Sequence, residues 1–519
     1  MQASQIRRHL GGAAKLLPAT TPTMLAAQKL TTQDAASEQL LNLEFSPRDY
    51  VAYLLSIDAE IEHCLMVQYL YAAYSLGGPQ VPSQFRDAVR SWQEVILGIA
   101  KEEMGHLISV QNVLRLIGAP LHFEREDYPW DVPFYPFPFM LQPLTLDSLA
   151  KYVYTEAAVD WKGGALGDEI RARVATQTSN PHQVAELFNT LIPLVEDPLY
   201  LHDYVFQADT FSCQANFAEW GRGYQGGNRG NSTDTATEKT VTRTPDVLVV
   251  PVTCRDDAVN ALKAIAKQGE APHGSTPSHF VRFLRVYVEM RAAQTHQACS
   301  LELWNNARPA DFLEDAWTRS YPDMASAPQA NAAPWSASRP VAVNPYVSLD
   351  SDEEPEQDGT PTTPITHPES ALWASLHNVR YRMLLTYLIH SFTLYGGLNA
   401  AGLITPRGTI VNATFGEMYN LRAISEILMQ SPVSATDPEA GFAGPPFQMP
   451  YTLNSAFSEA DRWIGHLDLL NASEGLIAAL LLTSSPARHA YLHSLREADK
   501  NMIAIATRIL SGSIDPALL

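Results

Sequence analysis

Charged residues are scarce in this chain of 519 residues: Asp, Glu, Lys and Arg make up 18%, against 46% hydrophobic residues. That balance excludes wholesale disorder and supplies ample material for a large core. Bases are scarcer than acids, 36 against 56, for a net charge of −20. A fold-wide basic surface for nucleic acid or anionic membrane is thereby excluded. The four cysteines (Cys64, Cys213, Cys254, Cys299) are scattered and form no Cys-x-x-Cys. There is no disulfide framework to read, and a reducing, intracellular, cytoplasmic location is the simplest expectation. No apolar run reaches the roughly 18 residues of a membrane-spanning helix. Also missing are a Gly-x4-Gly-Lys-Ser/Thr phosphate loop and a Gly-x-Ser-x-Gly elbow, and the glycines of 221–230, though they include a Gly-x-Gly-x-x-Gly spacing at 221–226, stand in the wrong context for one, so nucleotide binding and serine hydrolysis have no support.

Two local absences organise the chain. Residues 1–33 carry Arg7, Arg8, Lys15 and Lys29 and no acid; such a stretch reads as an organelle transit peptide or as a frayed tail. Residues 370–416 contain no acid at all, so a second carboxylate-rich metal site is not expected in that half. Between them, 340–368 holds six acids and no Lys or Arg and reads as solvated linker. The expected organisation is a flexible segment over 1–45, a helical lobe over 48–320 with an insertion at 221–245, a flexible linker over 324–369, and a second helical lobe over 370–519. The fold class is mainly α. The best strand signal is Asp246–Thr253 (DVLVVPVT).

What is present is a handful of acids set singly inside apolar helices. The segment 49–76 lacks Pro and Gly, stops at Gly77-Gly78-Pro79, and is apolar nearly all round, as a buried helix is. Glu60, Glu62 and His63 lie inside it. Glu62 shares a face with Met66 and Tyr69, which favours it as an inward-pointing ligand; the competing picture is a solvated stripe of Asp58, Glu62 and Gln68. A second helix, 83–117, carries Lys101-Glu102-Glu103-Met104-Gly105-His106. Glu103 and His106 at i and i+3 leave one face and can grip one first-row metal ion, and such a pair recurs in ferritin-like bundles. Glu102, at i−4 from His106, competes with Glu103. Glu156 is the central acid of a helix expected over 145–161. Glu270 and His279 flank a Gly/Pro break, with His273 as an alternative. His489 and His493 at i, i+4 read as a surface pair.

Three segments then carry a resemblance: AEIEHCLMVQYLYAAYSL, IAKEEMGHLISVQNVLRLIGAP and AVNALKAIAKQGEAPHGSTPSHFVRF. They resemble the ferritin-like domain of the iminophenyl-pyruvate dimer synthase (VioB-like, violacein-pathway) family and its stand-alone relatives. The likeness rests on Ile61-Glu62-His63, on Glu102 to His106, and on Gln268-Gly269-Glu270 with Ser278-His279-Phe280. It extends weakly through Arg339 to Pro345 and Ala443 to Phe447, and so covers most of the chain from about residue 48.

The resemblance implies a ferritin-like four-helix core with Glu62, Glu103, His106, Glu156, Glu270 and His279 as metal ligands. Glu62, Glu103 and His106 would carry the catalysis. It implies two iron ions, with manganese as the alternative metal. The implied function is an O2-dependent oxidase or oxygenase acting on a small organic metabolite in a biosynthetic pathway. The chain lacks the large additional region of the longer family members, so oxidative imine coupling does not follow. Two alternatives accompany this reading: a haem-dependent oxidase with His63 or His106 as axial ligand, and a non-catalytic iron-binding protein. Tyr69, Tyr71 and the aromatic loop 128–139 would line a substrate cavity or simply pack. Self-association stays open.

Overall fold

The computed structural model describes residues 46–128, 135–178, 181–207, 210–220, 247–270, 278–295, 335–347, 361–395, 399–400, 403–449, 453 and 458–512. The first buried helix, α1, spans Pro47–Ser75. Ser46 caps it by accepting from the Asp49 N–H, and Pro47 opens it with its fixed φ. It ends where Gly77 and Gly78 take φ values of 94° and 114°, backbone that suits glycine. α1 packs along α2, Arg86–Leu116.

Three helices follow: α3, Leu146–Thr155; α4, Gly164–Ala175; and α5, Ala185–Glu196. The helix expected over 145–161 is therefore shorter, and Glu156 is its C-cap residue rather than its centre. α4 begins at two glycines with positive φ. Its charged, weakly periodic sequence gives little helical signal. α6, Arg255–Glu270, packs on α5, and α7, His279–Thr295, packs on α3; α6 and α7 both reach α2. Elements α1, α2, α3, α6 and α7 enclose the middle of this half.

The strand expected at 246–253 is not one. Residues 247–252 run extended across α2, and side chains satisfy their backbone instead of a neighbouring strand. Ser109 Oγ donates to the Leu248 carbonyl at 3.0 Å and accepts from the Val250 N–H at 3.1 Å. The Asn112 amide donates to the Val250 carbonyl at 2.9 Å, and Gln214 Oε1 accepts from the Val252 N–H at 2.8 Å. The crossing needs Gly105: a Cβ there would stand 2.7 Å from the Leu248 carbonyl oxygen. A glycine inside a helix costs about 1 kcal/mol relative to alanine, and here close approach of a second backbone explains it.

The second half is a bundle of α8, Pro368–Ser391; α9, Pro406–Leu428; α10, Glu459–Thr483; and α11, Pro486–Leu510. α8 packs on α9 and α10, and α10 on α11. Two-residue strands pair at 345–346 with 363–364 and at 399–400 with 403–404. By length and composition α10 alone among the described helices could cross a bilayer; it contributes Trp463, His466, Leu470, Ile477 and Leu480 to the bundle interior.

Residues 335–347, within the expected linker, are packed: Ala337, Ser338, Val341, Ala342, Asn344 and Tyr346 are buried. Tyr71 OH donates to the Ala342 carbonyl at 2.5 Å. The largest apolar cluster runs from α1 and α2 through to Tyr381, Leu385 and Leu388 of α8 and to Phe392, which caps that helix. Polar ties reinforce it: Tyr381 OH lies 2.5 Å from His63 Nε2, and the Arg407 guanidinium holds Glu219 at 2.7 and 2.9 Å. The segments 1–45, 221–246, 296–334 and 348–360 lie outside the described residues, so the expectations for the N-terminal segment, the insertion and the acidic part of the linker fall there.

Candidate metal centre

The centre of the first half gathers five of the six residues singled out above. Glu103 sits between two imidazoles. Its Oε2 is 2.8 Å from His106 Nδ1, and its Oε1 is 3.0 Å from His279 Nδ1. Glu62 Oε2 stands 3.3 Å from His106 Nδ1, and Glu156 Oε2 3.7 Å from His279 Nδ1. The two rings lie nearly parallel with centroids 5.3 Å apart. Glu103, His106 and His279 offer ligand atoms that all fall within 4.8 Å of one another. Every one of these side chains is buried.

The sequence explains the convergence. Glu103 and His106 are one helical turn apart on α2, and Glu62 faces them from α1, which lies alongside. His279 is the first residue of α7. Glu156 arrives because α3 ends there. Its carboxylate is fixed by Tyr69, whose OH donates to Oε1 at 2.6 Å.

The outer faces of both imidazoles are tied down. His279 Nε2 lies 2.8 Å from Glu102 Oε2, and the Arg282 guanidinium in turn holds Glu102, with one contact at 3.0 Å. His106 Nε2 lies 2.9 Å from Gln268 Oε1. With Nε2 of each ring engaged outward by an oxygen, Nδ1 of each ring faces inward, where loss of its proton to an incoming cation would free a ligand lone pair. The rivalry between Glu102 and Glu103 is resolved by position: Glu103 is central, and Glu102 lies behind His279. Glu60 turns elsewhere, with Oε2 3.7 Å from His122 Nε2.

Several of these groups are unsatisfied as they stand. Glu103 Oε1 and His279 Nδ1 are 3.0 Å apart yet lack hydrogen-bond geometry, so each is a buried atom without a partner. Burial pushes the Glu62 carboxyl well above the usual range, and neighbouring Glu103 and Asp58 push the same way. Glu156 is also raised, first by burial and then by Glu103. Burial acts on Glu103 likewise, but His279 and His106 outweigh it and hold that carboxyl low. His106 is held at about 10: burial pulls it down, and Glu62 and Glu103 more than offset this. A surplus of buried carboxylates around two inward nitrogens, with orphaned ligand atoms, fits a cation. The oxygen-rich set with nitrogen donors suits iron or manganese.

Glu270 is the last residue of α6, and its side chain is outside what the structure describes. The neighbouring backbone does reach the centre, since a Cβ on Gly269 would stand 3.4 Å from Glu156 Oε2. His273 also lies outside the described residues. His63 points away from the cluster toward Tyr381. Of the aromatics, Tyr69 belongs to the centre, whereas Tyr71, Phe137 and Phe139 pack in the core.

Sequence reasoning missed Asp58. Named there only in the competing picture of a solvated stripe with Glu62 and Gln68, it is buried, as are the other two. Burial raises its carboxyl to about 7, and the fields of His106 and Glu103 act on it. The signal that could have found it is its spacing: it lies one turn before Glu62.

Residues 55–288 match a family model described as Ferritin-like. The chain is also 25% identical over 418 residues to dichlorochromopyrrolate synthase of Lentzea aerocolonigenes, an alignment covering 75% of this chain and 35% of that protein. The match thus spans about a third of the relative's length. No solved structure matches the chain.

Proposed function

From the match of residues 55–288 to the Ferritin-like family model, we propose that the chain is a ferritin-like biosynthetic oxidoreductase. It would use a two-metal centre, two iron ions or alternatively manganese, with O2 and a small organic metabolite as substrates. The observation that carries this is Glu103, placed with one oxygen toward each of two imidazoles whose outer nitrogens are already engaged. When bound, iron or manganese supplies a redox-active, Lewis-acidic centre of the kind that activates O2. Glu62, Glu103 and His106 would hold one ion, and Glu156 and His279 the other, with Glu103 shared between them.

The protein's own part is positioning. Glu102 and Arg282 fix the His279 ring and its tautomer, Gln268 does the same for His106, and Tyr69 aims Glu156. Apolar helices around the cluster exclude water and strengthen each charge interaction. A biosynthetic role is supported by the likeness to a synthase. Which product forms depends on residues outside the cluster. The haem reading gains nothing from His63, which is engaged by Tyr381, or from His106, which is surrounded by carboxylates.

Purified protein should contain close to two iron or manganese ions per chain, as two-metal ferritin-like sites do. Glu103→Ala and His106→Ala should lose them while circular dichroism shows the helices retained. Elemental analysis of wild-type protein that finds no metal, or a Soret band in its optical spectrum, would sink the proposal.

A further inference from the structure

Asp58 lies on α1 one turn before Glu62, so both carboxylates leave the same face of the helix. It is wholly buried, and neither of its oxygens has a hydrogen-bond partner. Nearly all buried polar groups are paired, and an isolated buried carboxylate costs several kcal/mol. No arginine or lysine among the described residues forms an ion pair with it; Arg282, the guanidinium at this centre, is committed to Glu102. Its electrostatic neighbours are His106, Glu103 and Glu62, which places it on the Glu62–His106 side of the cluster.

The ligand pattern shows a matching gap. In two-metal ferritin-like sites two helices each supply a Glu-x-x-His pair. Here His106 has its partner in Glu103, but the residue three before His279 is Thr276. Among the described residues no carboxylate stands in that place at the second pair, the Glu270 side chain lying outside them, while an extra, unpartnered one stands on α1.

We propose that Asp58 is itself a ligand of the metal centre, binding the ion held by Glu62 and His106. Among the described residues the carboxylates are then gathered on the Glu62–His106 side. This rests on the two-metal reading above, and the test separates the two.

Asp58→Asn keeps the shape and removes the charge. The full chain and the variant are loaded with Fe(II) or Mn(II), challenged with a graded chelator, and analysed for metal per chain, with a metal-free thermal melt of each alongside. Asp58→Asn is expected to lose one of two ions at chelator levels the wild type survives. The affinity loss should be at least the roughly 10–100-fold seen when a mere outer-shell partner is removed. Its metal-free form should melt no lower than wild type, since a buried unpaired charge has gone. Asp58→Glu, which keeps the charge, should hold both ions more tightly than Asp58→Asn. Asp58→Asn that retains both ions at wild-type affinity overturns the inference, and so does Asp58→Glu that is no better than Asp58→Asn. If Glu103→Ala loses metal while Asp58→Asn does not, only the role of Asp58 fails. A metal-free wild type overturns both readings.

Discussion

Both halves of the chain bury acids at the centre of a helical bundle, and they balance them in different ways. In the second half each of the four helices sends one residue to the middle: Arg380 from α8, Glu417 from α9, Ser473 from α10 and Asp499 from α11. The Arg380 guanidinium donates to Glu417 at 3.0 Å and to Ser473 Oγ at 2.6 Å, and it pairs with Asp499. The cation is part of the chain. In the first half Asp58, Glu62, Glu103 and Glu156 surround two imidazoles, and the nearby guanidinium serves Glu102 instead. Among the described residues, only there are ligand atoms of both an acid and an imidazole left without partners at 3.0 Å from each other. A bundle that supplies its own cation gives a rigid polar core. One that withholds it gives a place for an exchangeable cation.

The sharpest way to break this comparison is to remove the built-in cation. Arg380→Met should leave Glu417 and Asp499 buried and uncompensated, destabilising the protein by about 3–5 kcal/mol. Chemical denaturation measures the loss, and added iron or manganese should not restore it, because no imidazole completes a metal site among those residues. Rescue by metal would show that the two centres are interchangeable and the contrast mistaken.

Acid should act differently on α2 and on the α8–α10 contact. Burial holds the His377 imidazole down at about 3 and lowers His466 as well. A histidine depressed in this way contributes stability that is whole above its ordinary value near 6.5. That stability falls away as pH drops from there toward the folded value. In the metal-free first half Asp58 is raised to about 7 and Glu62 and Glu156 are raised too, so protonation relieves their repulsion. The contribution of His106, raised to about 10, is complete below 6.5. Between pH 7 and 5, hydrogen exchange of metal-free protein should accelerate in α8 and α10 while α2 holds or gains protection; α1 is intermediate, because burial also holds its His63 imidazole low. Uniform acceleration across both bundles would contradict the assignment.

Much of this was legible in the sequence, for identifiable reasons. α1 and α8 to α11 announce themselves by uninterrupted helical stretches bounded by Ser, Pro and Gly. Glu62, Glu103 and His106 stand out because an acid in an apolar helix demands a partner. What was hidden depends on contacts distant in sequence. The segment 247–252 reads as a strand because it is apolar and β-branched, and only Ser109 and Asn112 of α2 reveal how its backbone is satisfied. Glu156 looks helical because the turn that ends α3 carries no glycine or proline at its cap. Arg380 and its partners come from four separate helices, and no short motif could join them. Asp58 was passed over because only the fold shows that it faces the His106 and Glu103 side with no partner of its own.

The smallest expected effect is also the most local comparison. Tyr69 and Tyr71 neighbour each other on α1 and are both fully buried, with hydroxyls that donate to one acceptor each. Tyr71 serves the Ala342 carbonyl, a packing contact with the 335–347 segment. Tyr69 serves Glu156. Tyr69→Phe and Tyr71→Phe should each cost about 0.5–1.5 kcal/mol, the net worth of one hydrogen bond. They should differ in what else they move. Loss of the Tyr69 hydroxyl removes an interaction that lowers the Glu156 carboxyl, so that acid is harder to ionise and metal binding at the His279 side becomes weaker at neutral pH and more pH-dependent. Tyr71→Phe should leave metal affinity and its pH profile unchanged. Titrations of both variants with Mn(II) at pH 6 and 8 make the distinction. Equal affinities for the two would mean that Tyr69, like Tyr71, only packs.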